Sequence, residues 1–134
     1  MSLHAEVGTK LPERIFKPDN VQSMLYNAVL WNGHRIHFDE PYARDVEGYP
    51  GLVVPGPLLG DWLHQVVEEW LDDQGRICGI EYSNRVASFV GETLTAGGEV
   101  TAVTDSGRLT ISVYVKNENG DVITPGVITA ELNH

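Results

Sequence analysis

Residues 56–75, GPLLGDWLHQVVEEWLDDQG, carry the clearest structural pattern in this chain. Apolar side chains recur there every three or four residues, which predicts one continuous helix with a wide apolar face. Gly56-Pro57 predicts the start of the helix, and Gln74-Gly75 predicts its end. A face of this width needs a large apolar surface to cover it. Two adjacent rows make up the face, namely Leu58, Trp62, Val66 and Trp70 in one and Leu59, Leu63, Val67 and Leu71 in the other.

The residues that follow this helix supply such a surface as strands. Apolar and polar side chains alternate from Leu109 to Val115, which is typical of a strand with one buried face. Asn119-Gly120 is a strong signal for a hairpin turn. An antiparallel sheet with the long helix across its apolar face satisfies both patterns, so the predicted fold class is α+β. We predict strands near residues 76–88, 92–104, 108–117 and 121–132, and a further one around 11–17.

The first third of the chain predicts another helix and a long connection. Asp19 with Gln22 is a capping box, and apolar residues at helical spacing follow it to about Trp31. Residues 32–57 then form an irregular stretch, in which Asp39-Glu40-Pro41 can open a short helical turn. Connections of this length are uncommon in compact domains and are often functional. We therefore expect the chemistry of the protein in this stretch.

Composition limits the classes of function. The length of 134 residues fits one domain, and nine basic against nineteen acidic side chains give a formal charge of −10. That charge argues against nucleic acid or an anionic membrane as the main partner. No apolar run approaches the ~18–20 residues that cross a bilayer, and Met1-Ser2-Leu3-His4 lacks the layout of a secretion signal. The single cysteine, Cys78, excludes an internal disulfide and fits a reducing cytoplasm.

The segment WNGHRIHFD, residues 31–39, is the first candidate for chemistry. Histidine is the side chain best suited to exchange protons near neutral pH. His34 and His37 alone do not make a metal site, because no third ligand stands at a matching spacing. The alternative is that both histidines simply bond backbone groups of the loop.

The start of the long helix is the second candidate. Helix N-termini present unpaired N–H groups and a partial positive charge, which can stabilise a carbonyl oxygen as it gains negative charge. Pro57 has no N–H, so the amides of Gly56 and Leu58 are the candidate donors. The alternative is that Gly56-Pro57 only forms the turn at which the helix begins and binds no ligand.

Several motifs in sequence resemble the MaoC-like acyl-CoA hydratases and dehydratases, which have the hot-dog fold. These are NGHRIHFD at 32–39, PYA at 41–43, EGYPGLVVPGPL at 47–58, Asn84-Arg85, and FVGETL at 89–94. The resemblance spans roughly residues 7–132 and is greatest to the branch with N-x-H-R-I-H-x-D, which includes mesaconyl-CoA hydratases. It implies a single hot-dog domain over residues 1–134, in which the sheet wraps around one long central helix. It also implies a homodimer or a higher oligomer of such units.

The resemblance further implies the addition of water to a 2-enoyl-CoA thioester, or the reverse dehydration of a 3-hydroxyacyl-CoA. His37 falls at the position of the family's histidine, and Gly56 at the amide that polarises the thioester carbonyl. Asn32 replaces the family's usual Asp, and since an amide cannot take up a proton its expected role is to orient water. Pro55 replaces a usual His.

Substrate contacts are expected from four further residues: His34, Arg35, Leu58 and Arg85. Arg44, Arg85 and Lys116 are also candidates for the CoA phosphates, although for each of them the sequence favours a solvated surface position. No metal or redox cofactor is expected, since coenzyme A arrives as part of the substrate.

Two other functions stay open on the sequence alone. A thioesterase on the same fold would use the same polarised carbonyl. A non-catalytic acyl-CoA-binding subunit that pairs with a competent partner would explain Asn32 and Pro55.

Overall fold

Three helices and five strands make up the fold of residues 3–134, which a computed structural model describes. Met1 and Ser2, on which part of the secretion-signal prediction rests, lie outside the described residues. The helices are α1 (Asn20–Val29), α2 (Glu40–Asp45) and α3 (Gly56–Leu71). A 3-10 turn covers Arg35–His37. The strands are β1 (Arg14–Phe16), β2 (Gly75–Tyr82), β3 (Leu94–Val103), β4 (Arg108–Lys116) and β5 (Val122–Leu132).

The strands form one antiparallel sheet in the order β1-β3-β4-β5-β2. Consecutive strands β3, β4 and β5 are neighbours, so the C-terminal half is a meander of two hairpins. The second hairpin turns at the predicted Asn119-Gly120, where Gly120 has φ +83° and its N–H donates to the Asn117 carbonyl. The α+β prediction is confirmed.

Helix α3 lies across the apolar face of this sheet and packs against it from β2 at one edge to β1 at the other. All eight residues of the two predicted rows are buried except Trp70, which is half-buried. Trp62 stacks on Phe16 of β1 with ring centroids 4.3 Å apart. The opposite wall of the core is the apolar face of β4, from Leu109 to Val115, together with inward residues of β3 and β5. Burial of these apolar surfaces is therefore what fixes the position of α3.

Two strands are shorter than predicted. The strand predicted over 76–88 ends at Tyr82. The next residues still bond β5, through the Ser83 N–H to the Pro125 carbonyl and the Arg85 N–H to the Ile123 carbonyl, and the chain then reaches the segment before α3. There the Ser88 carbonyl accepts from the Val54 N–H at 2.8 Å, and Phe89 pairs with Val53. The strand predicted over 11–17 covers only β1, because Pro12 has no N–H to donate to a ladder.

The first helix presents its polar side to the rest of the chain. Asp19 caps α1 by accepting from the Gln22 N–H at 2.7 Å, as the sequence predicts. Ser23 and Asn27 are the buried residues of α1, whereas Val21, Met24 and Leu25 are each 59% exposed. Helical spacing predicted this helix correctly but does not say which of its faces the chain itself covers.

The connection predicted over residues 32–57 does contain a short helix, α2, which opens at the predicted Asp39-Glu40-Pro41. The Asp39 side chain caps it by accepting from the Tyr42 N–H at 3.2 Å.

Within the described residues, no helix has both the length and the apolar composition that crossing a bilayer would need.

We predict that Asp72→Gly stabilises the protein by about 1 kcal/mol. Asp72 follows α3 with φ +52° and ψ −128°, a backbone conformation that only glycine adopts without strain. The free energy of unfolding from urea titration measures the gain.

Asp73→Gly is the matched control, because it removes the same charge from the same turn at a residue without positive φ. We expect it to destabilise by ~0.5–1 kcal/mol through greater freedom of the unfolded chain. Equal changes in the free energy of unfolding of the two variants would contradict backbone strain at Asp72.

Candidate active site

His37 is held with one ring nitrogen occupied and the other free. The side chain ends the 3-10 turn and is 8% exposed, and its Nδ1 lies 2.7 Å from the Val53 carbonyl oxygen. A carbonyl oxygen only accepts, so Nδ1 carries the hydrogen and the neutral ring has its lone pair on Nε2. Nε2 has no hydrogen-bond partner among residues 3–134. The ring is therefore a base with a single available nitrogen.

The surroundings of His37 keep it neutral. Burial lowers the pKa of His37 below its ordinary value of 6.5, and the charge of the neighbouring His34 lowers it further. The hydrogen bond to Val53 acts in the opposite direction, but the net shift is downward. A histidine with this shift is unprotonated at pH 7, which is the form that a general base needs.

Three backbone contacts place His37 beside the segment that leads into α3. The Ser23 hydroxyl of α1 donates to the His37 carbonyl at 3.0 Å, and the Val53 N–H donates to the Ile36 carbonyl at 2.9 Å. With the ring bond to Val53, these contacts fix both the backbone and the side chain of the turn. Val53 precedes Gly56 by three residues, a length of chain that spans at most about 10 Å. The base and the helix start therefore lie in one region.

Gly56 offers the free amide at the start of α3. It is the first residue of the helix, and its N–H bonds no carbonyl of the described chain. Pro57 has no N–H, and the Leu58 N–H donates to the Pro55 carbonyl at 3.1 Å. Of the two amides predicted as donors, Gly56 is thus the available one. It stands at the positive end of a 16-residue helix, where negative charge is stabilised.

Asn84 packs directly against Gly56. A β-carbon at Gly56 would come within 2.5 Å of Asn84 Nδ2, closer than any real contact of that kind. Glycine at this position therefore lets the Asn84 amide reach the start of α3.

Asn32 and His34 organise the turn that holds His37. Asn32 Oδ1 accepts from the His34 N–H at 3.1 Å, and His34 Nδ1 accepts from the Ile36 N–H at 3.3 Å. The rings of His34 and His37 are 6.0 Å apart between centroids, at an angle of 65°. His34 therefore bonds the backbone of the loop with one nitrogen, which is the alternative that the sequence left open for both histidines.

The other predicted contact residues are more dispersed. The Arg35 guanidinium bonds Asp39 at 2.8 Å and lies over the Tyr42 ring at 4.1 Å. Arg85 is exposed, with Nε 3.4 Å from the Ser83 hydroxyl. Leu58 is buried in the core below Gly56.

The remaining phosphate candidates have neighbours of their own. Arg44 pairs with Glu40 at 2.7 Å, and Lys116 lies over the Tyr114 ring at 4.4 Å. In residues 3–134, no three His, Cys, Asp or Glu side chains group closely enough to hold a metal ion.

Sequence reasoning missed three groups around His37 and Gly56. Ser23 stands in a helix that its capping box and apolar spacing predict, but neither signal says that Ser23 is buried. Val53 acts through its carbonyl, which side-chain patterns do not reveal. Asn84 was part of a quoted motif, but nothing in the motif links it to Gly56. The short polar Ser23 on the side of α1 away from its apolar residues was the one available signal.

Comparison with known proteins finds similarity to hydroxyacyl-thioester dehydratases. The family model for hydroxyacyl-thioester dehydratase type 2 matches residues 4–90, more than half of the chain. A mesaconyl-C(4)-CoA hydratase from Chloroflexus aurantiacus is 52% identical over 46 residues, which are 34% of this chain and 16% of that protein. The mitochondrial hydroxyacyl-thioester dehydratase type 2 of Saccharomyces cerevisiae is 32% identical over 80 residues, 60% of this chain and 28% of the relative. The chain thus spans only part of the curated relatives that it matches.

Solved structures share the fold. The (R)-hydratase from A. caviae involved in PHA biosynthesis superposes with a TM-score of 0.88 at 22% identity, over 96% of this chain and 98% of that one. At this identity the likeness concerns the fold alone, and it confirms the hot-dog architecture expected from the resemblance.

We predict that protonation of His37 destabilises the folded protein in mild acid. Because the folded-state pKa lies below 6.5, the unfolded chain binds more protons as the pH falls through that value. The stability due to neutral His37 is therefore present above pH 6.5 and is lost below it. Urea titrations between about pH 7.5 and 5 measure how steeply the free energy of unfolding falls with pH. We expect this slope to be flatter in His37→Gln than in the wild type.

His64→Gln is the control, since His64 is a half-buried residue on α3 whose side chain is 41% exposed near Glu68. It should leave the wild-type slope in place. A wild-type slope that survives in His37→Gln would contradict the neutral, buried state of His37.

Proposed function

The chain belongs to the hydroxyacyl-thioester dehydratase type 2 family, and we propose that it hydrates a 2-enoyl-CoA thioester or dehydrates a 3-hydroxyacyl-CoA in reverse. The observation that supports this most directly is the pair formed by His37 and Gly56. A neutral imidazole with a free Nε2 is anchored to Val53, and a free N–H stands three residues further on at the tip of α3. Acid–base chemistry beside a polarised carbonyl is what the reaction requires.

The proposed addition of water begins at His37. Its Nε2 takes a proton from a water molecule while the water oxygen bonds to Cβ of the enoyl group. The π electrons of the double bond move through Cα to the thioester oxygen, which becomes an enolate. The Gly56 N–H and the N-terminus of α3 stabilise this charge, and one such donor is worth roughly 3–4 kcal/mol of barrier.

The addition ends with the same histidine. The His37 imidazolium returns its proton to Cα as the thioester C=O re-forms, which restores the neutral ring. We propose a single proton carrier because Asn32, at the position of the family's Asp, cannot hold a proton. The Asn32 amide is proposed to orient the water, since Oδ1 keeps a second lone pair besides the bond from His34.

Substrate binding is proposed for the exposed residues around the turn. His34 and Arg85 are exposed and face no acidic partner in the contacts of the described chain. Arg35 would have to exchange its bond to Asp39 for an acyl carboxylate. No metal or redox cofactor is proposed, because the addition of water is not a net oxidation or reduction and the enolate charge is met by amide N–H groups. Coenzyme A is proposed to enter as the thioester of the substrate.

Assembly as a homodimer or a higher hot-dog oligomer is proposed as well. The outward face of α1 carries Val21, Met24, Leu25 and Val29, and Trp31 beyond it is 95% exposed. Apolar surface of this kind on one helix is typical of an interaction face.

A reducing compartment such as the cytoplasm is proposed because it suits the unpaired, exposed Cys78, although the Saccharomyces relative is named as mitochondrial.

A non-catalytic acyl-CoA-binding subunit is the second candidate. It is favoured by Asn32, whose amide both lacks acid–base chemistry and serves a backbone turn through the His34 N–H. A thioesterase is the third candidate and would direct water at the carbonyl carbon rather than at Cβ.

We predict that His37→Ala abolishes the hydration of crotonyl-CoA or mesaconyl-CoA while the protein stays folded. The loss should be about 10²–10⁴-fold or more, the usual contribution of general acid–base catalysis. Enoyl absorbance and free thiol are followed in parallel, with circular dichroism as the check on folding.

His64→Ala is the control and should retain wild-type rates. Loss of absorbance without thiol supports hydration, whereas release of thiol indicates a thioesterase. Binding of both thioesters without either signal indicates the subunit, and normal hydration by His37→Ala would refute the role of that residue.

A further inference from the structure

Resting on the proposed function, we propose that the side-chain amide of Asn84 is the second hydrogen-bond donor for the thioester oxygen. It would act beside the Gly56 N–H, at the point where negative charge develops. Asn84 thereby becomes a residue of the reaction and not only of the loop that follows β2.

The start of α3 has fewer donors than an ordinary helix. The first turn of a helix leaves four N–H groups without intrahelical partners. Here two are absent, at the N-cap Pro55 and at Pro57, and a third, at Leu58, is occupied by the Pro55 carbonyl, which leaves Gly56. No side chain caps this helix either. Stabilisation of an enolate oxygen usually draws on more than one preorganised donor, so a group from elsewhere in the chain is needed beside Gly56.

Asn84 has the position for this role. Its Nδ2 lies 2.5 Å from the place that a β-carbon of Gly56 would occupy, against the first residue of α3. The absence of a side chain at Gly56 is what lets this NH₂ group come so close. The nitrogen therefore stands next to the one free backbone donor of the helix start.

The orientation of the amide is fixed by Thr124 of β5. The hydroxyl of Thr124, a fully buried residue, donates to Asn84 Oδ1 at 2.9 Å. This bond occupies the oxygen end of the amide and turns the NH₂ end toward Gly56. Across the described part of the chain, Nδ2 has no acceptor. Asn84 is an exposed residue, so these free donors are open to a molecule that binds beside Gly56.

The chemistry of a neutral amide suits the step. As electrons move from the C=C bond to the thioester oxygen, an N–H donor gains hydrogen-bond strength with the growing charge. The amide neither gives up nor takes up a proton, so His37 remains the proton carrier. Asn84 is therefore expected to affect turnover more than binding of the enoyl-CoA.

The experiment compares Asn84→Ala and Asn84→Asp with the wild type. In Asn84→Asp the carboxylate still accepts from Thr124, but the donor is replaced by a negative charge. We expect kcat for crotonyl-CoA to fall about 10²–10³-fold in Asn84→Ala and further in Asn84→Asp, with KM changed much less. Asn119→Asp, on the exposed β4–β5 turn, adds the same charge elsewhere and should keep the wild-type kcat.

A second readout follows polarisation of the bound substrate directly. Crotonyl-CoA labelled with ¹³C at the carbonyl is bound to His37→Ala, which does not turn it over, and the infrared C=O stretch is recorded. The downward shift of that stretch should be smaller in His37→Ala/Asn84→Ala. A structural role alone would not move this frequency.

The outcomes separate this proposal from the function on which it rests. An active wild type, with kcat unchanged in both Asn84 variants and the C=O stretch in His37→Ala/Asn84→Ala equal to that in His37→Ala, would overturn the role of Asn84 and leave hydration intact. A wild type that neither turns over nor binds crotonyl-CoA and mesaconyl-CoA would overturn the proposed function, and the role of Asn84 with it.

Discussion

The hydrogen bond between His37 Nδ1 and the Val53 carbonyl is the contact on which the candidate site depends. It joins the turn after α1 to the segment before α3, two parts of the chain that sequence distance alone would leave independent. It also selects the tautomer, so that the free lone pair is on Nε2. Without this bond, the buried ring would have neither a fixed direction nor a defined protonation state, and the amide of Gly56 would act alone. Ser23 adds a second constraint by binding the backbone carbonyl of the same histidine from α1.

Burial of α3 supplies the other half of the geometry. The sheet covers both apolar rows of the helix, so its N-terminus cannot move without exposing core side chains to water. An amide at the tip of such a helix is preorganised, and it does not have to be reoriented when charge develops nearby. The same packing brings β5 close to the helix start, where Thr124 holds Asn84 against Gly56. Packing of the core therefore fixes the positions of the Gly56 amide and of Asn84 relative to each other.

The sequence predicts the elements of this protein better than it predicts their contacts. Spacing of apolar residues revealed α3, α1 and the four long strands, because periodicity reports which residues share a face. It did not reveal that α1 turns Ser23 inward and Met24 outward, since both faces of a helix have the same period. The motif selects His37 and Gly56 as candidates, but the contacts of the Val53 carbonyl and of the Asn84 amide are tertiary, and no spacing encodes them. Local pattern thus proposes the two candidates, and only the folded structure relates them to each other.

Charge in this chain argues that amides, and not cations, would meet an oxyanion at the site. The protein has a formal charge of −10, and its arginines are largely paired with carboxylates, as in Arg35 with Asp39 and Arg44 with Glu40. Both pairs lie on the surface, where water and salt screen the charge of a guanidinium and an ion pair contributes only about 0–1 kcal/mol. A free N–H on a buried helix, or an amide oriented by Thr124, has no such partner to leave. We therefore propose preorganised neutral donors, and not surface cations, as the groups that would meet an oxyanion at Gly56 in this strongly acidic protein.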